Sequence, residues 1–354
     1  MVWKPKEKEL TREEAVALAT KELAPFWHGC PPLFAAARGS VFPLDPKFHS
    51  QSWMLLFTDP LLYSGESTLQ YAIEMYKRYS PHNLNFCIVL RATHAFQRDP
   101  KSIEQLMRRN HIQFPVVIDW DGGIWSAFSV QELPRMVVLR DQRTVLNKTG
   151  PDWNKGTELE IQSFLRTSDP GLSLRPVWEP PVNFAKDAGR LDFGRKRGVV
   201  FPGQGFTMPE AGFGVGHFVE AQAPKAPPKD LRNPLAIRGN WLQDLDCIAT
   251  SDPTAEISFF SPSTDVSVIA QTLSKIQEPA RLIIEINGER VPDMFMADDL
   301  DSDDDGNTLV RLELPKLYHA VKKLPFNERQ IRFRFPFANR SAVSLYGVRF
   351  GTSS

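Results

Sequence analysis

The side chains in this sequence best suited to chemistry are three cysteines, Cys30, Cys87 and Cys247, and a run of aspartates between residues 298 and 305. A thiol attacks as a thiolate, so it needs a lowered pKa, and disulfide exchange needs a second thiol to resolve the mixed disulfide. No two of these cysteines are close in sequence, and an odd count at long spacing fits neither a disulfide framework nor a zinc site. Cys30 lies in Trp27-His28-Gly29-Cys30-Pro31-Pro32, where His28 is the neighbour that could activate it; the plain reading is a half-buried cysteine in a turn. Cys87, inside Asn85-Phe86-Cys87-Ile88-Val89-Leu90, reads as a strand residue of the core, and Cys247 reads the same way.

Asp301, Asp303, Asp305 and Gly306 reproduce the first half of a calcium loop. The twelfth position is Leu312, not a bidentate glutamate, and a strand pattern follows, so this is not an EF-hand. Calcium is therefore one reading of the aspartates and a solvated hairpin tip the other; no other cofactor is expected. The glycines at 203, 205, 212, 214 and 216 follow Phe201-Pro202 with no helix start, which a dinucleotide fingerprint requires. The seven histidines are scattered, with no H-x-x-x-H pair, and neither G-x-S-x-G nor a P-loop lysine occurs.

The elements that must position these groups follow from periodicity. An N-terminal extension over 1–38 carries a helix over 11–24, opened by Thr11 and Glu14 as a capping box. Strands are predicted at 52–57, 85–90 and 114–118, helices at 68–79, 101–110 and 158–165, and a hairpin at 136–139 and 144–147. Strands alternating with helices argue for an α/β domain with a mixed sheet over 39–168. Proline and glycine then dominate 169–234, which reads as a connector whose aromatic-bearing part, Val177 to Phe218, is expected to pack on a domain surface. From 235 to 354 short alternating strands separated by turns read as an all-β sandwich.

Acids and bases balance at 42 each, so no global field recruits nucleic acid or an anionic membrane. No stretch has the length and apolarity of a membrane span, and the first ten residues lack the apolar core of a signal peptide. A soluble, cytoplasmic protein is expected, without nucleic-acid binding or membrane insertion.

Residues 39–168 resemble the thioredoxin-like proteins of the TlpA and DipZ kind. Val41-Phe42-Pro43-Leu44-Asp45 is similar to their entry hairpin, Trp53 to Phe57 to the strand before the active site, and Thr58 to Ser64 to the loop that there holds W-C-x-x-C. Phe114-Pro115-Val116-Val117-Ile118-Asp119 with Ile124-Trp125-Ser126-Ala127-Phe128 resembles the stretch that follows, and Leu133-Pro134 falls where the family has its cis-proline. Met208 to Gly212, Gly239-Asn240-Trp241, Asn287-Gly288, Leu317-Tyr318 and Tyr346 to Phe350 resemble elements of the DipZ C-terminal jelly-roll module. The resemblance implies a thioredoxin-like domain followed by a jelly-roll-like sandwich. In its register the active-site loop reads Leu61-Leu62-Tyr63-Ser64, with Leu61 at the nucleophilic cysteine and Ser64 at the resolving one, and the transmembrane domain is absent.

Without a thiol in that loop the expected function is non-catalytic: a redox-inactive binding or scaffold protein for a protein or peptide partner. Pro134 and Trp125 are the candidate binding residues of the first domain, and Trp241 that of the sandwich. The alternatives are a carbohydrate- or calcium-binding protein, through the sandwich aromatics or Asp301, Asp303 and Asp305, and a monothiol oxidoreductase using Cys30.

Overall fold

The computed structural model describes residues 34–37, 40–43, 51–119, 122–141, 143–150, 155–178, 186–193, 199–201, 204–206, 236–244, 246–273 and 279–352. The helix expected at 11–24, Cys30 and most of the glycine-rich stretch lie outside these residues. The chain divides into two units, Met1–Pro60 with Ser64–Val182, and Leu61–Tyr63 with Asn183–Ser354.

The first unit opens on a hairpin of β1 (Phe34–Ala37) and β2 (Ser40–Pro43). Its main sheet has five strands: β3 (Ser52–Thr58), β4 (Leu84–Arg91), β5 (Val116–Asp119), β6 (Arg135–Arg140) and β7 (Arg143–Thr149). The spatial order is β5-β4-β3-β6-β7; β3, β4 and β5 run parallel, β6 is antiparallel to β3, and β7 is antiparallel to β6. The connections are α1 (Tyr63–Tyr79), α2 (Pro100–Arg109) and α3 (Gly123–Ala127), and α4 (Lys155–Ser168) follows β7. This is a thioredoxin-like α/β arrangement. The central strands read as unbroken apolar runs because both faces are covered. Met54, Leu56, Phe86 and Ile88 pack with Leu69, Ala72 and Met75 of α1 and Ile161 of α4. Trp53, Leu55, Phe57, Cys87 and Val89 pack on the other side with Ile124 and Trp125 of α3.

The helix α1 starts five residues before the predicted Thr68. Ser64, Gly65 and Ser67 are weak helix formers, and 64–67 has no apolar periodicity to mark the first turn. At its other end, Tyr79 is buried and its hydroxyl donates to Glu158. Burial first, then that hydrogen bond, push the Tyr79 phenol up to about 12. Burial also raises Tyr71, Tyr318 and Tyr346. An unfolded chain releases these protons near pH 10. Stability is thus whole below about pH 10 and falls as pH rises toward about 12. Phenolate absorbance for these four residues is expected to appear together with unfolding; a smooth titration of all six tyrosines near pH 10 in folded protein would contradict this.

The second unit is a β-sandwich of antiparallel strands. One sheet centres on β22 (Val343–Thr352), flanked by β15 (Asp265–Thr272) on one edge and by β8 (Lys186–Asp192) and β13 (Ile248–Thr250) on the other. It is extended by β9 (Val199–Phe201) and β10 (Gln204–Phe206), β12 (Leu242–Gln243) and β20 (Lys316–Val321). The facing sheet runs β11 (Ala236–Arg238), β14 (Glu256–Ser261), β21 (Arg329–Arg334), β16 (Ala280–Ile286), β19 (Thr308–Leu312), β18 (Leu300–Ser302), with β17 (Glu289–Arg290) beside β16. Between them lies an aromatic core that includes Phe259, Phe333, Phe335 and Phe350.

The stretch 169–234 differs from the expected connector. Leu172, Leu174 and Trp178 pack on the first core, and β8 to β10 are strands of the sandwich. The sequence Lys-Asp-Ala-Gly-Arg-Leu-Asp of β8 has too few apolar positions to show alternation. Backbone pairing to β22 recruits it, and Leu191 is its anchor in the core.

Candidate functional site

The loop with the Leu-Leu-Tyr-Ser sequence joins the end of β3 at Thr58 to the start of α1 at Tyr63. It turns tightly: a Cβ on Gly65 would lie 1.8 Å from the carbonyl oxygen of Asp59. Gly65→Ala is therefore expected to destabilise the first unit by about 3 kcal/mol, the upper range for overpacking against rigid backbone. Chemical denaturation read on that unit checks it; a loss under about 0.5 kcal/mol would show that the turn gives way. Asp59 itself is buried. Its Oδ2 accepts from the Thr93 hydroxyl at 3.0 Å and its Oδ1 from Gln97 Nε2 at 3.3 Å.

Leu61, Tyr63 and Ser64 are all buried, and Leu62 is half-buried. Leu61–Tyr63 fold as part of the second unit. There the Tyr63 amide donates to Asp187 Oδ1 at 2.8 Å, and the Leu61 carbonyl accepts from Arg349 Nε at 3.1 Å. The Tyr63 hydroxyl lies 2.7 Å from Ser267 Oγ, which lies 2.9 Å from His319 Nδ1. A serine beside an imidazole suggests a nucleophile and its base. Ser267, however, is fully buried with its hydroxyl held from both sides, so no substrate carbonyl can approach it. The loop thus presents neither a thiol nor an accessible nucleophile.

The other cysteines give the same answer. Cys87 is buried on β4, and Cys247 is a buried free thiol pushed up to about 11 by burial, away from the thiolate form. The Leu133–Pro134 bond is cis, and Pro134 is buried at the start of β6. Trp241 is not a sugar platform. It is 2 % exposed, edge-on to Phe335 at 5.3 Å, and its indole N–H donates to the Arg238 carbonyl. The aspartates 301, 303 and 305 do not converge. Asp301 faces Arg311 at 3.7 Å, and Asp303 caps the turn through the Asn307 amide at 2.7 Å. The neighbouring Asp298 and Asp299 are taken by Lys322 and Lys316. Among the described residues no three His, Cys, Asp or Glu side chains gather as a metal site would.

Trp125, one of the predicted binding residues, lines a cavity. The space, about 560 Å³, lies at the C-terminal ends of β4 and β5. Arg91 and Asp119, register partners on the two strands, stand at its wall with Trp125, Ser126, Ser129 and Gln131. Asp119 is buried, its Oδ1 3.2 Å from the Ile124 amide and its Oδ2 2.6 Å from the Trp125 amide, so it fixes the start of α3. The sequence marked Trp125 through the family pattern; Arg91 carried no signal, because a charged residue ending a strand is common.

No protein-family model and no curated protein matches the sequence. Several solved structures are similar over part of the chain. A thioredoxin candidate from Neisseria meningitidis is 21% identical, with a TM-score of 0.31, over 34% of this chain and 79% of its own. StoA from Bacillus subtilis is 16% identical, TM-score 0.28, over 32% and 83%. A secreted Mycobacterium tuberculosis disulfide oxidoreductase homologous to E. coli DsbE is 17% identical, TM-score 0.26, over 34% and 86%. Among the described residues no helix is long and apolar enough to cross a membrane.

Proposed function

We propose that this is a binding or scaffold protein of the TlpA and DipZ kind that works without dithiol chemistry, its thioredoxin-like domain having lost the redox centre and its sandwich serving as an interaction module. The observation that carries this reading is the segment leading from β3 into the first turn of α1: Leu61, Leu62, Tyr63 and Ser64 supply no thiol, and three of the four are buried. The partner is an extended protein or peptide segment, taken by the first domain near the cis Leu133–Pro134 turn. Among the described residues Cys87 and Cys247 form no disulfide, which supports a reducing compartment, the cytoplasm. Carbohydrate or calcium binding by the sandwich is less favoured, since the Trp241 ring is buried and two of the three candidate aspartates, Asp301 and Asp303, already have partners in the chain.

An insulin-reduction assay with dithiothreitol tests the reading, run on the full chain, on Cys30→Ser and on a true thioredoxin. No turnover above the dithiothreitol background is expected from either form. Turnover that disappears in Cys30→Ser would overturn the proposal in favour of monothiol chemistry at that residue.

A further inference from the structure

We infer that the cavity at the C-terminal ends of β4 and β5 is a carboxylate-binding site anchored by Arg91. In open sheets with parallel strands, ligands gather outside the carboxyl ends of those strands. A volume of about 560 Å³ falls within the range of small-molecule sites. Arg91 is exposed, and its guanidinium carbon sits 5.2 Å from the centre of the Trp125 ring. That stacking orients the planar fork without using its N–H donors. Among the described residues no carboxylate pairs with Arg91, although Asp119 is its neighbour across the two strands. The Asp119 oxygens are instead engaged by the amides of Ile124 and Trp125. Trp125 is 6 % exposed, and its indole N–H is buried without a hydrogen-bond partner. A buried donor left unmatched is costly in a finished core and common where a ligand completes the site.

The chemistry selects a monoanion. One guanidinium matches one carboxylate through two parallel N–H···O bonds. Among the described residues that line the cavity, Arg91 is the one cation and Asp119 the one anion, too little positive charge for a phosphate dianion. The side chains of Ser126, Ser129 and Gln131 offer further hydrogen bonds, and the Trp125 face an apolar wall. The carboxylate belongs either to a free small acid or to the C-terminal residue of a peptide. The inference goes beyond the proposed function and stands apart from it, because occupancy here is independent of thiol chemistry.

The test is a titration of the full chain, 15N-labelled, following the Trp125 indole N–H resonance, identified by its loss in Trp125→Phe. The probes are N-acetylglycine, acetyl-trialanine acid, the amide of each, and inorganic phosphate, at matched ionic strength. Both acids are expected to shift the resonance saturably and the amides and phosphate not, with Arg91→Gln weakening the acids at least about tenfold. Tighter binding of acetyl-trialanine identifies a peptide terminus; equal binding identifies a small acid. Equal shifts by the amides, a response to phosphate alone, unchanged binding in Arg91→Gln, or no response to any probe would overturn the inference.

Discussion

Replacing Arg349 by alanine is expected to cost the second unit about 3–5 kcal/mol, the range for breaking a buried ion pair from one side. Arg349 and Asp192 are 3 % and 2 % exposed, and Nη1 donates to Oδ1 at 2.7 Å. Two further contacts hold the guanidinium: Nη1 reaches the Val348 carbonyl at 3.1 Å and Nε the Leu61 carbonyl at 3.1 Å. Room for the pair depends on Gly347, where a Cβ would lie 2.9 Å from Arg349 Nη1 and 3.0 Å from Asp192 Oδ1. Arg190, 3.3 Å from Asp192 Oδ2, is half exposed and replaces little of the lost charge. Hydrogen exchange along β22 measures the cost. An apolar double replacement, Arg349→Met with Asp192→Leu, should recover much of it, since two desolvated charges are removed together. A single variant as stable as the parent would mean that water reaches Asp192.

The counterpart in the first unit is Glu158, 1 % exposed at the start of α4. Its Oε1 accepts from Arg78 Nε at 2.8 Å and from the Tyr79 hydroxyl, and its Oε2 from the Trp178 amide at 2.6 Å. Gln162 extends the network to Tyr79 at 3.0 Å and to the Arg175 carbonyl at 2.9 Å. One carboxylate thus joins the end of α1, the start of α4 and the segment at 175–178. Glu158→Ala leaves Arg78 and Tyr79 buried without their acceptor, and a loss of about 3–5 kcal/mol is expected. Glu158→Gln keeps an acceptor and should lose about half of that. The two variants, compared by denaturant unfolding of the first unit, separate charge from shape; equal losses would show that the acceptor atom contributes nothing.

These networks explain what the sequence hides. The strands of the first sheet were legible because each is an apolar run bounded by turns; β3, β4 and β5 fall within two residues of their predicted positions. The sandwich strands with clear alternation, such as β21, were equally plain. The tertiary choices were not legible. Glu158 and Arg349 look like surface charges until their partners, far away in sequence, are known. Trp241 looks like a binding aromatic until Phe335 is placed against it. The loop at 61–64 shows the division most clearly: its lack of thiols is read from four letters, while its burial depends on Asp187, Ser267 and Arg349. The cavity beside Trp125 was half legible, since the aromatic belonged to a recognisable pattern and Arg91 did not.

The tripeptide Leu61–Tyr63 also sets an order of events for folding. The second unit is discontinuous: its first three residues precede the whole of 64–182, and its remainder follows. The Leu61 carbonyl meets its donor 288 residues later. Contacts of such sequence separation form slowly, because loop closure must come before any gain from the contact. The first unit can assemble its sheet as soon as its own strands exist, whereas the sandwich must wait for β22, the strand to which β8, β13 and β15 all pair. During that wait the Leu61 carbonyl lacks Arg349, its donor on β22. A gene cut between residues 182 and 183 therefore does not separate two self-sufficient halves; it divides the second unit, leaving Tyr63 on one product and Ser267 on the other.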